Sequence, residues 1–306
     1  MAFKDPFQRL QGLAEPSARN ARTVFAPDPS APSTLVAAPM TDVTLTLPES
    51  GPDPHAIAEN ARFLPADPYE IAVFRLDVEP ETVRASAALL SDAERQRAER
   101  FAFDHGRRRF IVARAQLRRL LAARLGVRPE SVELDNGPRG KPALSRRFAN
   151  SELRFNVSHS EDVAVYAFAL GREIGVDVEA IRVIPDADDI AARFFSRREY
   201  EAYRVLDRHD SLPGFFNCWT RKEAFIKARG DGIYYPLDRF DVSLTPGEPA
   251  NILRLESTPG EDCEWTLHSF VPEPGFVGAV VVHKVAPERA SRAGPERIAL
   301  RSLLRS

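Results

Sequence analysis

The chain has 306 residues, room for about two domains at roughly 150 residues each. Forty-two basic against 44 acidic residues leave a formal charge of −2, which excludes a nucleic-acid binder driven by bulk positive charge. No apolar run approaches the ~20 residues of a bilayer span, and two cysteines, Cys218 and Cys263, build neither a disulfide framework nor a zinc site. The first twenty residues lack the unbroken apolar stretch of a secretory signal. A cytoplasmic protein without nucleic-acid or membrane partners is the expectation.

Of 25 prolines, 12 precede position 81, and X-Pro steps interrupt any helix that starts between Pro16 and Pro68. Residues 1–66 are read as a Pro/Ala-rich extension, with Val43-Thr44-Leu45-Thr46-Leu47 as a short strand candidate. From Tyr69 an apolar, β-rich run predicts a strand ending near Asp77. Ser91-Asp92-Ala93-Glu94 is a capping box, which predicts a charged helix to about Arg100. Phe110, Ala113, Leu117, Leu120, Leu121 and Leu125 share one helical face, predicting a helix over 107–125 closed by Gly126.

Leu153–Val157 and Val163–Ala169 read as a hairpin that opens a second unit, and Ile174–Val178 as its third strand. Ser196-Arg197-Arg198-Glu199 is a second capping box, heading a helix through Leu206. Phe215–Arg229 is a helix closed by Gly230. Ile233–Leu244, Trp265–Val271 and Val277–His283 read as strands. The tail at 287–306 holds one short helix candidate, Ile298–Leu304. Both halves, 67–150 and 151–286, thus run strand, capped helix, longer helix, strands. The expected class is α+β, an antiparallel sheet with helices on one face in each half, and the parallel order suggests a duplication.

Gly175-Val176-Asp177-Val178-Glu179 is the sharpest chemical feature. On a strand, i and i+2 share a face, so Asp177 and Glu179 present two carboxylates together while Val176 and Val178 enter the core. Like charges so close repel unless a cation or a proton joins them, and all-oxygen ligands suit Mg²⁺ or Mn²⁺. The plain alternative is a solvated strand edge. In Trp219-Thr220-Arg221-Lys222-Glu223-Ala224-Phe225-Ile226-Lys227, Glu223 and Lys227 lie four apart on one helical face. They form either a surface ion pair or a third metal carboxylate with a phosphate contact. Lys222 faces elsewhere and needs its own anion or solvent.

Phe155-Asn156-Val157-Ser158-His159-Ser160 puts hydrogen-bonding groups at a strand end, where protonated His159 can meet a phosphate. Ser158 and His159 point to opposite faces of a strand and no G-x-S-x-G elbow is present, which argues against a serine hydrolase. Gly137-Pro138-Arg139-Gly140-Lys141-Pro142 has the wrong spacing for a Walker loop and reads as a turn displaying Lys141. The cluster Arg95, Arg97, Arg100, Arg107, Arg108 and Arg109 is either a solvated helix face or a docking surface for a phosphate-rich ligand or an acidic protein.

In order and spacing, GKP, FNVSHS, GVDVE, FFSRREY, WTRKEAFIK and Gly230-x-Gly232 resemble the 4′-phosphopantetheinyl transferase superfamily, in its longer, surfactin-synthetase-activating form. The motifs of the resemblance span Gly140–Gly232, with weaker similarity out to about Leu90 and His283. It implies a monomeric pseudo-dimer of two similar subdomains with the active site in the cleft between them. The implied reaction is Mg²⁺-dependent transfer of phosphopantetheine from coenzyme A to a serine of an acyl, peptidyl or polyketide carrier protein, releasing adenosine 3′,5′-bisphosphate. Carried over by motif, Asp177, Glu179 and Glu223 would hold the metal. Lys227 would neutralise phosphate, and Lys141, Ser158 and His159 would contact coenzyme A. Arg97 sits at a position that is often basic, for the 3′-phosphate. Glu94 departs from the lysine some members carry, which leaves Arg95, Arg97 or Arg109 to supply that anchor. The proton of the acceptor serine would pass to Glu223 or to Glu199, although Glu199 also suits a plain capping role. Two rivals remain: a catalytically silent relative that binds coenzyme A or a carrier protein, and another metal-dependent phosphoryl hydrolase.

Overall fold

The computed structural model describes residues 62–66, 69–136, 141–230, 235–256 and 265–284. Outside them lie the extension before 62 with its strand candidate Val43–Leu47, Gly137–Gly140, Gly232, Cys263 and the tail with Ile298–Leu304.

Two antiparallel sheets organise these residues. The first has the order β1 (Arg62–Ala66), β2 (Tyr69–Arg75), β6 (Val163–Leu170), β5 (Leu153–Ser160). The second has the order β10 (Trp265–Phe270), β11 (Phe276–His283), β7 (Ile174–Ala180). Small hairpins add β3 (Leu134–Asn136) with β4 (Pro142–Leu144), and β8 (Phe240–Val242) with β9 (Ile252–Leu255).

The repeat is visible in the strand order. β2–β6–β5 in one sheet matches β7–β11–β10 in the other. After β2 come α1 (Pro80–Ala88), α2 (Asp92–Glu99) and α3 (Asp104–Leu125); after β7 come α4 (Ala187–Phe194), α5 (Arg197–Arg204) and α6 (Arg208–Arg229). Ser91 and Ser196 cap α2 and α5 through complete capping boxes. Both long helices have 22 residues and end on a left-handed glycine, Gly126 or Gly230, as only a residue without a Cβ does cheaply. Even the capping glutamates are used alike: Glu94 bonds Arg118 of α3 at 2.7 Å, and Glu199 bonds Lys222 of α6 at 2.8 Å.

This arrangement corrects three expectations. The hairpin β5–β6 pairs with β2, so it completes the first sheet and does not open the second unit; the boundary expected at 150/151 moves to the turn at 171–173. Its burial explains why: every residue from Val163 to Ala169 is buried, as befits a strand with another on each side. Residues 62–66, assigned to the extension, form the edge strand β1. Of the strand expected over Ile233–Leu244, positions 233 and 234 lie outside the described residues, and the described part forms β8 only at Phe240–Val242, preceded by a 3₁₀ turn at Leu237–Arg239.

Period-two alternation divides the core. Ala72, Phe74, Phe155, Tyr166 and Phe168 face α3, where they meet Leu117, Leu120 and Leu121. Their neighbours Ile71, Val73, Val165 and Ala167 face Ile174, Val176, Val178, Val280 and Val282 of the second sheet. Each large apolar side chain so buried contributes about 1.5–3 kcal/mol. On β7 the valines therefore face the middle of the other sheet, while Gly175, Asp177 and Glu179 lie on the opposite face of the strand, Gly175 and Asp177 against α6 and the two carboxylates within reach of the edge strand β5.

Candidate active site at the seam of the two sheets

Gly175 sets the site. A Cβ there would lie 2.1 Å from Ala224 O and 2.2 Å from Ala228 N, so only glycine lets α6 rest directly on β7. That close approach brings Lys227, on the last turn of α6, over Asp177. The Lys227 Nζ donates to Asp177 Oδ1 at 2.5 Å and to Ser158 Oγ at 3.0 Å.

The other side of the site is β5. It is an edge strand beside β7, yet no ladder joins the two; side chains do so. Asn156 Oδ1 accepts from Val176 N at 2.8 Å, and Ser158 Oγ donates to Asp177 Oδ1 at 2.8 Å. Ser160 Oγ donates to Glu179 Oε2 at 2.9 Å and accepts from Ala180 N at 3.1 Å. Asn156 and Ser160 stand in the sequence as alternate residues of FNVSHS, and that spacing was the signal for their shared face.

The electrostatics follow from burial. Burial first, then the charge of Asp177, pushes the Glu179 carboxyl up to about 8, and both carboxylates are 3% exposed. Burial alone would pull the Lys227 ammonium down, but Asp177, Glu223 and Glu179 outweigh it and hold it above its ordinary range. Burial and the cations Lys227, Arg97 and Arg109 hold the His159 imidazole at about 4. The protonated His159 expected from sequence is thus neutral at pH 7 unless an anion joins it.

A divalent cation fits these residues. Asp177 Oδ2 is buried without a hydrogen-bond partner among the described residues, and beside it Glu179 is a desolvated carboxylate in need of positive charge. Glu223 is half-buried one turn before Lys227 on α6, and its charge reaches that ammonium. Among the described residues no three His, Cys, Asp or Glu side chains are already drawn into a finished cage. The Lys227 ammonium draws Asp177 instead.

The remaining candidates separate. Lys141 Nζ donates to the carbonyls of Lys227 at 2.8 Å and Ile174 at 3.3 Å, so it closes an open carbonyl of the last turn of α6. Arg97 stacks over Phe110 at 5.1 Å. Arg109 grips Asp77 with two hydrogen bonds of 2.9 and 2.7 Å, with Glu161 3.5 Å away. Arg95 and Arg107 bond Asp92 and Asp104, so much of the arginine cluster is satisfied locally.

Glu199 is elsewhere and has another task. It is 2% exposed, caps Ser196 N at 2.7 Å, accepts from Val242 N at 2.7 Å and pairs with Lys222. Lys222 completes its set with the carbonyls of Leu237 and Phe240. Lys222 has found its own anion, and Glu199 is engaged by Lys222, Ser196 N and Val242 N, the partners of a capping and structural group.

Residues 173–281 match the family model of the 4′-phosphopantetheinyl transferase superfamily, and residues 78–170 match that of the 4′-phosphopantetheinyl transferase N-terminal domain. The two matches meet at the turn where the structural repeats meet. The 4′-phosphopantetheinyl transferase HetI of Nostoc sp. is 43% identical over 215 residues, covering 70% of this chain and 87% of that protein. The human L-aminoadipate-semialdehyde dehydrogenase-phosphopantetheinyl transferase is 30% identical over 205 residues, 62% of this chain and 66% of its own. The 4′-phosphopantetheinyl transferase Sfp of Bacillus subtilis is 26% identical over 212 residues, 69% and 90% respectively. The chain belongs to the 4′-phosphopantetheinyl transferase superfamily. Within it, the chain is of the long, Sfp-like type that carries both repeats in one polypeptide, an enzyme that transfers phosphopantetheine to carrier proteins.

Proposed function

We propose that the enzyme takes phosphopantetheine from coenzyme A and moves it, with Mg²⁺, onto a serine hydroxyl of an acyl, peptidyl or polyketide carrier protein. Adenosine 3′,5′-bisphosphate leaves. The observation that carries this reading is the divided state of Asp177: Oδ1 is shared between Lys227 and Ser158, and Oδ2 is buried with no partner among the described residues.

In the reaction the serine oxygen bonds to the phosphorus that bears pantetheine. The bond from that phosphorus to the oxygen of the bisphosphate breaks, and the serine proton must leave. Negative charge therefore rises on attacking, equatorial and leaving oxygens. A bound Mg²⁺ would be held by Asp177, Glu179 and Glu223, and would supply charge neutralisation and alignment of the pyrophosphate. Lys227 brings a fixed ammonium to the same place. Once phosphate competes for Nζ, Lys227 can exchange its bond to Asp177 for one to substrate. Glu223 would take the serine proton, directly or through water. His159 enters neutral and can gain a proton beside a phosphate, since the cations that depress it would then be offset. The enzyme acts as a monomer, because the duplicated sheets already bring both sides of the site together in one chain.

The donor and products are tested by chromatography of the nucleotides after incubation with coenzyme A and apo carrier protein. One adenosine 3′,5′-bisphosphate per holo carrier supports the reading. Coenzyme A consumed without any holo carrier would mark a hydrolase, and tight coenzyme A binding without turnover a silent relative.

A further inference from the structure

β5 and β7 are both edge strands, and the side chains of Asn156, Ser158 and Ser160 take the place of a main-chain ladder between them. Of these, Ser160 alone ties a carboxylate and the backbone beside it with one hydroxyl. Its Oγ accepts from Ala180 N at 3.1 Å, which orients the hydroxyl, and donates its single proton to Glu179 Oε2 at 2.9 Å. Ser160 is 8% exposed and Glu179 3% exposed, so no bulk water competes for either bond. Arg182 Nη1 also donates to the same oxygen, at 3.5 Å, a longer and weaker bond than that of Ser160. The acceptor side of Ser160 is satisfied by backbone, so its O–H is directed at the glutamate and not free to turn to a substrate.

We propose that Ser160 is a positioning residue for the metal site, holding the Glu179 carboxyl group in a fixed rotamer for a divalent cation. The inference rests on the reading of Asp177, Glu179 and Glu223 as metal ligands. Hydrogen bonds that orient a ligating carboxylate typically govern metal affinity by about 10–100-fold. Ser160 touches neither coenzyme A nor the reacting atoms in this role, so it should act on metal affinity and leave coenzyme A binding alone.

The test is Mn²⁺ binding followed by the free-ion electron paramagnetic resonance signal, with one equivalent of coenzyme A present and the Mn²⁺ bound by coenzyme A alone subtracted. Ser160→Ala should weaken Mn²⁺ about tenfold or more, and Ser160→Thr, which keeps the hydroxyl, should stay within about twofold of the native protein. In transfer assays the alanine variant should need more Mg²⁺ to reach a nearly native kcat, with an unchanged KM for coenzyme A. Native Mn²⁺ affinity in a folded Ser160→Ala protein would overturn the role of Ser160 alone. If alanine unfolds the chain, Ser160→Cys takes its place and should show the same loss; native affinity there would overturn the proposal equally. Absence of Mn²⁺ binding by the native protein would overturn the metal assignment and this inference with it.

Discussion

Lys227 Nζ lies 2.5 Å from Asp177 Oδ1 while the second oxygen of the same carboxylate is buried without a hydrogen-bond partner among the described residues. The pair is therefore half-used. Lys227 is a stand-in cation on one oxygen, and the other oxygen retains its capacity for a second positive charge. Asp177→Asn removes that capacity with little change in volume. It is expected to lower the rate of transfer by at least about 10²-fold and to leave the circular dichroism spectrum native. Normal turnover in the folded variant would contradict the metal assignment.

Lys227→Met keeps the stem of the side chain and deletes the charge. Because its ammonium sits beside the carboxylates that would hold the metal, where it would meet the charge rising on the phosphoryl oxygens, kcat at saturating coenzyme A should fall about 10²–10³-fold. A change in KM with kcat preserved would show a uniform binding contact instead.

Glu199 and Glu223 should part company. Breaking the buried Glu199–Lys222 pair leaves an uncompensated charge, so Glu199→Ala should cost about 3–5 kcal/mol in chemical denaturation, with near-native kcat per folded molecule. Glu223→Gln should retain its Tm and lose transfer. A stable, inactive Glu199 variant would restore Glu199 as the base.

Proton linkage at Glu179 has a definite sign. Its folded value, about 8, lies above the ordinary 4.5, so its contribution to the stability of the metal-free protein is whole below about pH 4.5 and is lost as pH rises through about 8. Metal-free native protein should therefore lose Tm between pH 5 and 9 relative to Glu179→Gln, whose side chain stays neutral. Binding of Mg²⁺ at pH 7 should release protons in proportion, measurable by calorimetry in two buffers of different ionisation enthalpy. A pH-independent Mg²⁺ affinity would contradict the buried carboxylate.

His159 should show no imidazole titration above about pH 5 in protein free of ligand, read by NMR, and should shift upward when inorganic phosphate or coenzyme A is added. An ordinary titration near 6.5 in the free protein would place the ring in solvent.

Local chemistry was readable in the sequence where a short-range rule acts alone. Both capping boxes, both left-handed glycines and the period-two face of GVDVE stand in the structure as the residues dictate. What the sequence hid is set by long-range pairing. Nothing within Leu153–Leu170 says that its partner is β2, whose paired residues lie 88 or more positions earlier, since an all-apolar strand fits the middle of either sheet. Helix α6 begins at Arg208, seven residues before the apolar pattern, because Pro213 falls in its early turns and suggests a later start. Glu199 showed a capping box and no more, and its pairing with Lys222 required α6 to be in place. Ser160 was visible only as the last letter of a motif until β7 came alongside.

The most direct measurement is intact mass spectrometry of an apo carrier protein incubated with this enzyme, coenzyme A and Mg²⁺, with EDTA in a parallel tube. A gain equal to one phosphopantetheine on the carrier, absent with EDTA, is the predicted result. Full gain in the presence of EDTA would contradict the carboxylate site as a metal centre, and no gain across acyl, peptidyl and polyketide carriers would contradict the proposed transfer.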